Sequence, residues 1–186
     1  MRLRKAHAEF LALQRVVRVA TAAGAGTPHT VPVCHVLDGN RIYFASADDA
    51  KKVVNLRANA RVALVADDYT EAWSGLRGVM VVGEARLITQ GPRFRRVRRL
   101  LYAKYPQYEP EAAIEEGESV VVEIEPKRVF AWGKADAFNP TDNLNPRDAT
   151  DLLDLQRIGV PSAAAEYYLG DLVLEGVLVP AFTPTR

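Results

Sequence analysis

The sequence predicts a mostly β domain in which about six strands close into a barrel and a few helices lie at its periphery. Runs of valine, isoleucine and aromatic residues recur between residues 16 and 132, and turn-forming residues separate them. Few segments show apolar residues at helical spacing. The strands therefore do not alternate with long helices as a βαβ repeat requires.

Composition is that of an ordinary soluble globular protein. The chain has 186 residues, of which 48% are hydrophobic and 25% charged, and its formal net charge is +1. This balance gives no overall attraction to nucleic acid or to a membrane, and no run approaches the ~20 apolar residues of a spanning helix. The basic residues 1–5 are not followed by an apolar region, so no signal peptide is expected.

Cysteine and histidine are scarce. Cys34 is the only cysteine, which excludes an internal disulfide and favours a reducing, cytoplasmic setting. With three histidines in addition, no metal site is predicted. Cys34 and His35 are adjacent, so in a strand they point to opposite faces and do not form a catalytic pair.

The first elements are a helix and a strand. An amphipathic helix is predicted at residues 4–14, where Phe10 and Leu13 fall near one face. A strand follows at residues 16–22 and ends in a glycine-rich turn at residues 24–26. These elements lead into a hairpin.

In that hairpin, one strand through Val31 and Val36 is predicted to turn at residues 38–40 into a second strand at residues 42–44. Because proline cannot donate a ladder hydrogen bond, Pro32 places the first strand at a sheet edge or at a functional site. The hairpin is the start of the most informative stretch of the chain.

A short helix and a strand complete that stretch. Apolar residues at helical spacing, Val53 and Leu56 with Ala60 at the end, predict a helix that starts at residues 48–49, whose aspartates can cap it. Alternation at residues 61–66 then predicts a strand. The order is strand, turn, strand, helix, strand.

The second half contains two long strands around a helix. A strand is predicted at residues 77–88, with Gly83 as a bulge or a close backbone approach. A helix follows at residues 92–105, and a strand at residues 119–132 continues past Pro126. The barrel ends there.

Arginines cover the polar positions of the helix at residues 92–105: Arg93, Arg95, Arg96, Arg98 and Arg99. The favoured interpretation is a solvated helix face. A phosphate- or nucleic-acid-binding face is the alternative, and the scarcity of interleaved aromatic residues disfavours it.

Two lysines mark a candidate site. Lys51 and Lys52 fall in the first turn of the short helix, where the helix dipole disfavours cations, and Ser46 precedes them. Their unfavourable position argues for an anionic partner. Exposed N–H groups, a hydroxyl and two ammonium groups together suit a phosphate.

The succession TPHTVPVCHVLDGNRIYFA, KKVVNLRANARVALVADDY and WSGLRGVMVVGEARL resembles the pyridoxamine 5'-phosphate oxidase-like superfamily of flavin-binding split β-barrels. Within it, the likeness is to the actinobacterial-type branch of deazaflavin (coenzyme F420)-dependent enzymes. It covers residues 5–133, and its most specific blocks lie at residues 28–33 and 52–59. The resemblance implies a six-stranded split barrel with peripheral helices, paired as a homodimer whose pockets the partner chain completes. Trp73 or Trp132 is expected near the interface, because both lie in connecting or terminal positions of a half-covered barrel.

The resemblance also implies a set of cofactor contacts. Lys52 corresponds to a lysine that contacts the cofactor phosphate, and Ala45 and Ser46 would lie beside the flavin ring and its ribityl chain. The strand that contains Pro32 would run along the ring. The predicted cofactor-binding residues are Val31, Pro32, Val33, Ala45, Ser46, Lys51, Lys52, Asn55 and Arg77.

Three departures from the family pattern bear on the choice of cofactor. The flavin mononucleotide (FMN) oxidases carry an arginine, a lysine and a glutamine at positions that pair with His29, Cys34 and Gly78 here. Losing three polar contacts favours coenzyme F420 over FMN. No catalytic residue is assigned, because the cofactor itself carries the hydride.

The predicted function is therefore an F420- or FMN-dependent oxidoreductase that transfers a hydride between the cofactor and an unidentified small organic substrate. The alternative is a non-catalytic flavin- or haem-binding module. Residues 1–134 form the predicted barrel, and residues 135–186 an extension of linker, short helices and an apolar segment that is expected to dock on the barrel or the partner.

Overall fold

The computed structural model describes residues 2–24 and 26–133. The predicted extension at residues 135–186 and the boundary before it lie outside the described residues. The elements are, in chain order, α1 (Lys5–Leu13), β1 (Val16–Ala22), β2 (Pro28–Cys34), β3 (Val36–Asp38), β4 (Arg41–Ala47), α2 (Lys51–Ala58), β5 (Arg61–Asp68), β6 (Arg77–Ile88), α3 (Pro92–Lys104), α4 (Tyr108–Glu111) and β7 (Ser119–Gly133), with a 3₁₀ turn at Trp73–Gly75.

Seven antiparallel strands form one sheet in the order β2-β1-β5-β6-β7-β4-β3. The sheet curls so that β2 comes close to β4, which gives a half-barrel with helices at its periphery and confirms the predicted fold class. Burying each large apolar side chain in its interior stabilises the fold by about 1.5–3 kcal/mol. The fully buried interior includes Val17, Val19, Phe44, Leu64, Val79, Val81, Val122 and Ile124.

The predicted single strand before the hairpin is two strands, so the expected count of six was one short. Cys34 at the end of β2 is opposite Val16 of β1, whereas Val36 at the start of β3 is opposite Tyr43 of β4. The chain therefore leaves one edge of the sheet and joins the other at His35.

Tyr105, which lies 70 residues further along the chain, stabilises this break. The hydroxyl of Tyr105 accepts the backbone N–H of His35 at 3.1 Å. It also lies 2.9 Å from the carbonyl oxygen of His35 and 2.7 Å from that of Arg15, and it donates to one of them. The side chain thus replaces the ladder partners that a buried backbone loses where a strand ends.

Two predictions about strand geometry are confirmed. Pro32 lies on β2, which is an edge strand of the sheet. The register of β6 and β7 shifts between Val82 and Gly83, and a Cβ on Gly83 would lie 2.4 Å from the carbonyl oxygen of Glu125. Only glycine allows the two backbones to approach so closely.

The start of α2 differs from the prediction. The helix begins at Lys51, its N-cap residue is Ala50, and no side chain caps it. The carboxylate of Asp48 instead makes an ion pair with Arg57, which engages the oxygen that was expected to cap the helix. Ala60 lies beyond the helix and is exposed.

Candidate functional site

The structure brings three of the predicted segments together. The chain runs from the end of β4 through a short turn into α2, and β2 packs close to both elements. Because β2 is an edge strand, its outer backbone groups are not engaged by another strand of this sheet. The result is an open sheet edge beside the start of a helix.

Side chains of β2 alternate between the two sides of that edge. Val33 is buried and Val31 half-buried, and they lie opposite Val17 and Val19 of β1. Pro32, on the other face, is exposed. The apolar side of β2 therefore faces the barrel, and its edge is accessible.

Ala45 and Ser46 near the end of β4 are both half-buried, but they point to opposite faces. Ala45 packs against the apolar side chains beneath α3. In the register with β7, Ser46 is opposite Val120 and Ala45 opposite Val121. Of this pair, only Ser46 faces away from α3.

Lys51 and Lys52 form the first turn of α2, which contains no acidic residue and no side-chain cap. Neither lysine side chain makes an ion pair or hydrogen bond with any residue that the structure describes. Lys51 is exposed and Lys52 half-buried. Burial lowers the pKa of Lys52, because a desolvated ammonium without a counter-charge is less stable.

Asn55 is on the same helix but is fully buried. Its amide nitrogen donates to the hydroxyl of Thr21 on β1 at 3.1 Å, so its visible role is to fasten α2 to the barrel. Asn59 acts similarly, since its amide donates to the carbonyl oxygen of Ala22 at 3.2 Å. Both asparagines of the predicted block at residues 52–59 therefore make structural contacts.

Arg77 lies at the start of β6 and not beside the first turn of α2. It is buried, its Nε donates to a carboxylate oxygen of Asp68 at 2.8 Å, and its guanidinium carbon is 5.5 Å from the ring centre of Phe10. Gln14 donates to the other oxygen of Asp68 at 3.1 Å. Within one chain, Arg77 connects α1 to the sheet and is not grouped with Lys52.

Trp132 was not predicted as a cofactor contact, and its position explains a departure from the family pattern. A Cβ on Gly78 would lie 2.1 Å from Cζ2 of Trp132, so the indole occupies the place of any side chain at position 78. The two residues are directly opposite in the register of β6 and β7. Because the register of β6 and β7 creates this contact, no signal in the sequence indicated it.

The arginines of α3 are largely engaged by carboxylates. Their ion pairs, Arg93–Glu123, Arg95–Glu116, Arg96–Asp38 and Arg98–Glu115, span 2.5–3.3 Å. Glu123 is only 2% exposed and also accepts the hydroxyl of Tyr43 at 3.0 Å. These arginines form a structural surface.

Among residues 2–24 and 26–133, no three histidine, cysteine or acidic side chains are grouped as metal ligands would be. In the same residues, no helix is long and apolar enough to cross a membrane.

A curled sheet of seven antiparallel strands with a few peripheral helices is the architecture of split-barrel proteins. The family model described as pyridoxamine 5'-phosphate oxidase matches residues 3–133. The chain belongs to that family.

Relatives within and around the family differ in what they bind. The chain is 31% identical over 129 residues to the 5a,11a-dehydrotetracycline/5a,11a-dehydrooxytetracycline reductase of Streptomyces rimosus, a match that covers 67% of this chain and 78% of the reductase. A solved F420 reductase has a TM-score of 0.55 at 21% identity, with 69% of this chain and 98% of that chain covered. A haem storage protein from Vibrio cholerae has a TM-score of 0.60 at 14% identity, with 73% and 99% covered. The similarity to the curated reductase supports an oxidoreductase, and the two structures share the fold.

Proposed function

We propose that this protein is an oxidoreductase that uses the deazaflavin coenzyme F420 to reduce or oxidise a small organic substrate. The observation that carries the proposal is Lys52, a half-buried ammonium without a partner among the described residues, in the uncapped first turn of α2. Free N–H groups and an unpaired lysine at a helix start favour a phosphate.

The residues beside Lys52 fit a phosphate-bearing flavin or deazaflavin. Lys52 and the N–H groups of the first turn would bind the phosphate, with Lys51 nearer to solvent. The open edge of β2 at residues 31–33 offers backbone groups to the polar edge of a ring, and Ser46 offers a hydroxyl. When bound, the cofactor supplies the hydride chemistry, and the protein positions it and excludes water.

Coenzyme F420 is proposed over FMN because of the side chains at three positions. His29, Cys34 and Gly78 replace the arginine, lysine and glutamine expected for FMN, and each lost hydrogen bond costs about 1 kcal/mol, more where it is charged. At position 78 the indole of Trp132 fills the place of a glutamine. The protein must therefore hold its cofactor mainly through α2 and the edge of β2.

A homodimer is part of the proposal. Several large apolar side chains are exposed on β1, β7 and the β5–β6 loop: Val16, Phe130, Tyr69 and Trp73, the last 83% exposed. Such surfaces commonly mark contacts with another protein, and symmetric pairing is the commonest arrangement. Light scattering at micromolar concentration should give twice the monomer mass, and a monomer that still binds cofactor would exclude the dimer.

A non-catalytic haem-binding protein is the second candidate, and the likeness to a haem storage protein favours it. His29 on β2 would be the histidine to hold a haem iron, because it is half-buried whereas His7 and His35 are buried. A Soret band in the purified protein would support this candidate.

Parallel titrations decide between these functions. We expect coenzyme F420 to bind more tightly than FMN and to be reduced or reoxidised in the presence of a substrate. A clearly lower dissociation constant for FMN would overturn the choice of cofactor. Tight haem binding without turnover of either flavin would overturn the proposal that the protein is an enzyme.

The expected location of the protein is the cytoplasm, because its single cysteine favours a reducing setting. Fractionation of the native host tests this expectation.

A further inference from the structure

A second group of cations lines a groove of about 470 Å³ on the outer face of the sheet. Its floor is a row of residues that lie directly opposite one another on four strands: Ala20 of β1, Ala63 of β5, Val82 of β6 and Arg128 of β7. The small side chains of the two alanines, at the β1 and β5 positions of this row, leave room for the groove. The volume lies within the range of about 300–1,000 Å³ that is typical of small-molecule pockets.

The charges in the groove are unbalanced. Arg61 and Arg128 are both exposed, and neither makes an ion pair with the residues that the structure describes. Glu84 is the one carboxylate in the lining, and Lys127 already engages it at 3.3 Å. Lys127 also pairs with Glu125 at 3.4 Å. Glu84 lies directly opposite Arg61 in the register of β5 and β6, but no ion pair joins them, and three cations of the lining face this one carboxylate. Both arginines therefore remain available to an anion.

Local structure holds each arginine at the groove. The bulge between β6 and β7 makes Lys127 the extra residue of β7 and turns Arg128 into the row with Val82. On β5, the side-chain oxygen of Asn59 accepts the backbone N–H of Arg61 at 3.2 Å. The start of β5 is thereby held in place beside β1.

We propose that this groove binds a small organic anion that carries a carboxylate or a phosphate on a flat apolar body. Arg61 and Arg128 bind the acidic group, because the guanidinium fork matches both carboxylate and phosphate oxygens. The apolar body lies on Ala20, Ala63 and Val82. None of these residues belongs to the cofactor set, so the site goes beyond the proposed function.

Calorimetric titration of the full chain with benzoate, phenyl phosphate and inorganic phosphate tests the proposal. The aromatic anions should bind at least about tenfold more tightly than inorganic phosphate, because only they cover the apolar floor. Tighter binding of benzoate assigns a carboxylate ligand, and tighter binding of phenyl phosphate assigns a phosphate ester.

Variants locate the site. Arg61→Gln and Arg128→Gln should each weaken phenyl phosphate binding by about tenfold. Ala63→Leu fills the floor, and it should weaken phenyl phosphate while leaving inorganic phosphate unchanged. Arg86→Gln is the matched control, since Arg86 is an exposed arginine of β6 outside the groove. It should change affinity by less than about twofold.

Three results would overturn the proposal. The first is that no probe binds at millimolar concentration. The second is that Arg86→Gln and Arg61→Gln lose equal affinity for phenyl phosphate. The third is that Arg61→Gln loses affinity for F420, which would show that the groove is part of the cofactor site. Unchanged F420 affinity in Arg61→Gln, with weakened phenyl phosphate binding, supports a separate site. Because the two ligands are titrated independently, failure of one proposal is distinguishable from failure of the other.

Discussion

Two helices of this barrel carry clusters of cations, and they differ in what those cations contact. On α3, four of five arginines make ion pairs with carboxylates of the described chain. On α2, Lys51 and Lys52 have no such partner, and Lys52 is half-buried. The helix with more charge is therefore the one whose charge is already balanced.

The comparison shows that pairing, not the number of charges, indicates a binding site. The arginines of α3 support the fold from outside, while Phe94, Val97 and Leu101 on its other face are fully buried. An unpaired, partly desolvated ammonium such as Lys52 instead costs free energy that an anionic ligand recovers. Mutations on α3 should therefore change mainly the free energy of unfolding, and mutations at the start of α2 should change mainly the ligand affinity.

The largest effect is expected at Tyr105, which follows α3. Tyr105→Phe removes only the hydroxyl, and it leaves the backbone N–H and carbonyl of buried His35 without this partner. The free energy of unfolding should fall by about 2–4 kcal/mol, at about 1–3 kcal/mol for each unsatisfied buried group. Urea unfolding measures it, and Tyr69→Phe, at an exposed tyrosine, is the control. A loss below about 1 kcal/mol would show that water replaces the hydroxyl.

The second largest effect is expected to be a pH dependence of the free energy of unfolding, caused by His35 in the same region. Burial, with the charge of Lys104 second, lowers the pKa of His35 from 6.5 to about 4. As the pH decreases, His35 is protonated at a higher pH in the unfolded chain than in the folded chain. Its contribution to the free energy of unfolding is therefore fully present above pH 6.5 and is lost as the pH falls towards 4. The loss approaches about 3 kcal/mol, at about 1.4 kcal/mol per pH unit.

Nuclear magnetic resonance titration of the three histidines checks this expectation. The ring of His35, whose Nε2–H donates to the carbonyl oxygen of Leu11 at 2.7 Å, should titrate near pH 4. A midpoint for His35 near its ordinary value would refute the assignment.

On the α2 side, Lys52→Ala should weaken cofactor binding by about 1.5–3 kcal/mol, or about ten- to a hundredfold or slightly more. The fold should remain intact, because the Lys52 side chain makes no hydrogen bond or ion pair with the described residues. Fluorescence titration measures the affinity. Lys5→Ala, at the start of α1, is the control, and its exposed ammonium pairs with Glu9 at 3.7 Å. Equal affinities of wild type and Lys52→Ala would remove the phosphate assignment.

Periodicity and turn residues were sufficient to predict most of the fold. β1 and β6 have the predicted bounds, α3 ends one residue early, and the bulge at Gly83 is where a glycine inside a predicted strand indicated it. The break at His35 could not be predicted, because the tyrosine that stabilises it is 70 residues away. The start of α2 could not be predicted either. Asp48 was expected to cap the helix, but its carboxylate makes an ion pair with Arg57 in the last turn of the same helix.

The site is harder to predict than the fold, because a residue's type does not show which way it faces. Lys51, Lys52 and the edge strand with Pro32 are placed where a ligand can reach them. Asn55 and Arg77 have equally suitable polar groups, but the first is turned towards Thr21 and the second towards Asp68. Only packing between distant strands decides such orientations.

The smallest effect is expected from an exposed ion pair of α3. Arg95 and Glu116 lie 3.0 Å apart with side chains 47% and 34% exposed, so water screens their attraction. Arg95→Ala should lower the free energy of unfolding by less than about 1 kcal/mol and leave F420 affinity unchanged. Because this arginine is already paired, the variant should also elute from immobilised DNA at the same salt concentration as wild type. Earlier elution of Arg95→Ala would show that α3 contacts phosphates in solution, and the contrast between the two helices would then fail.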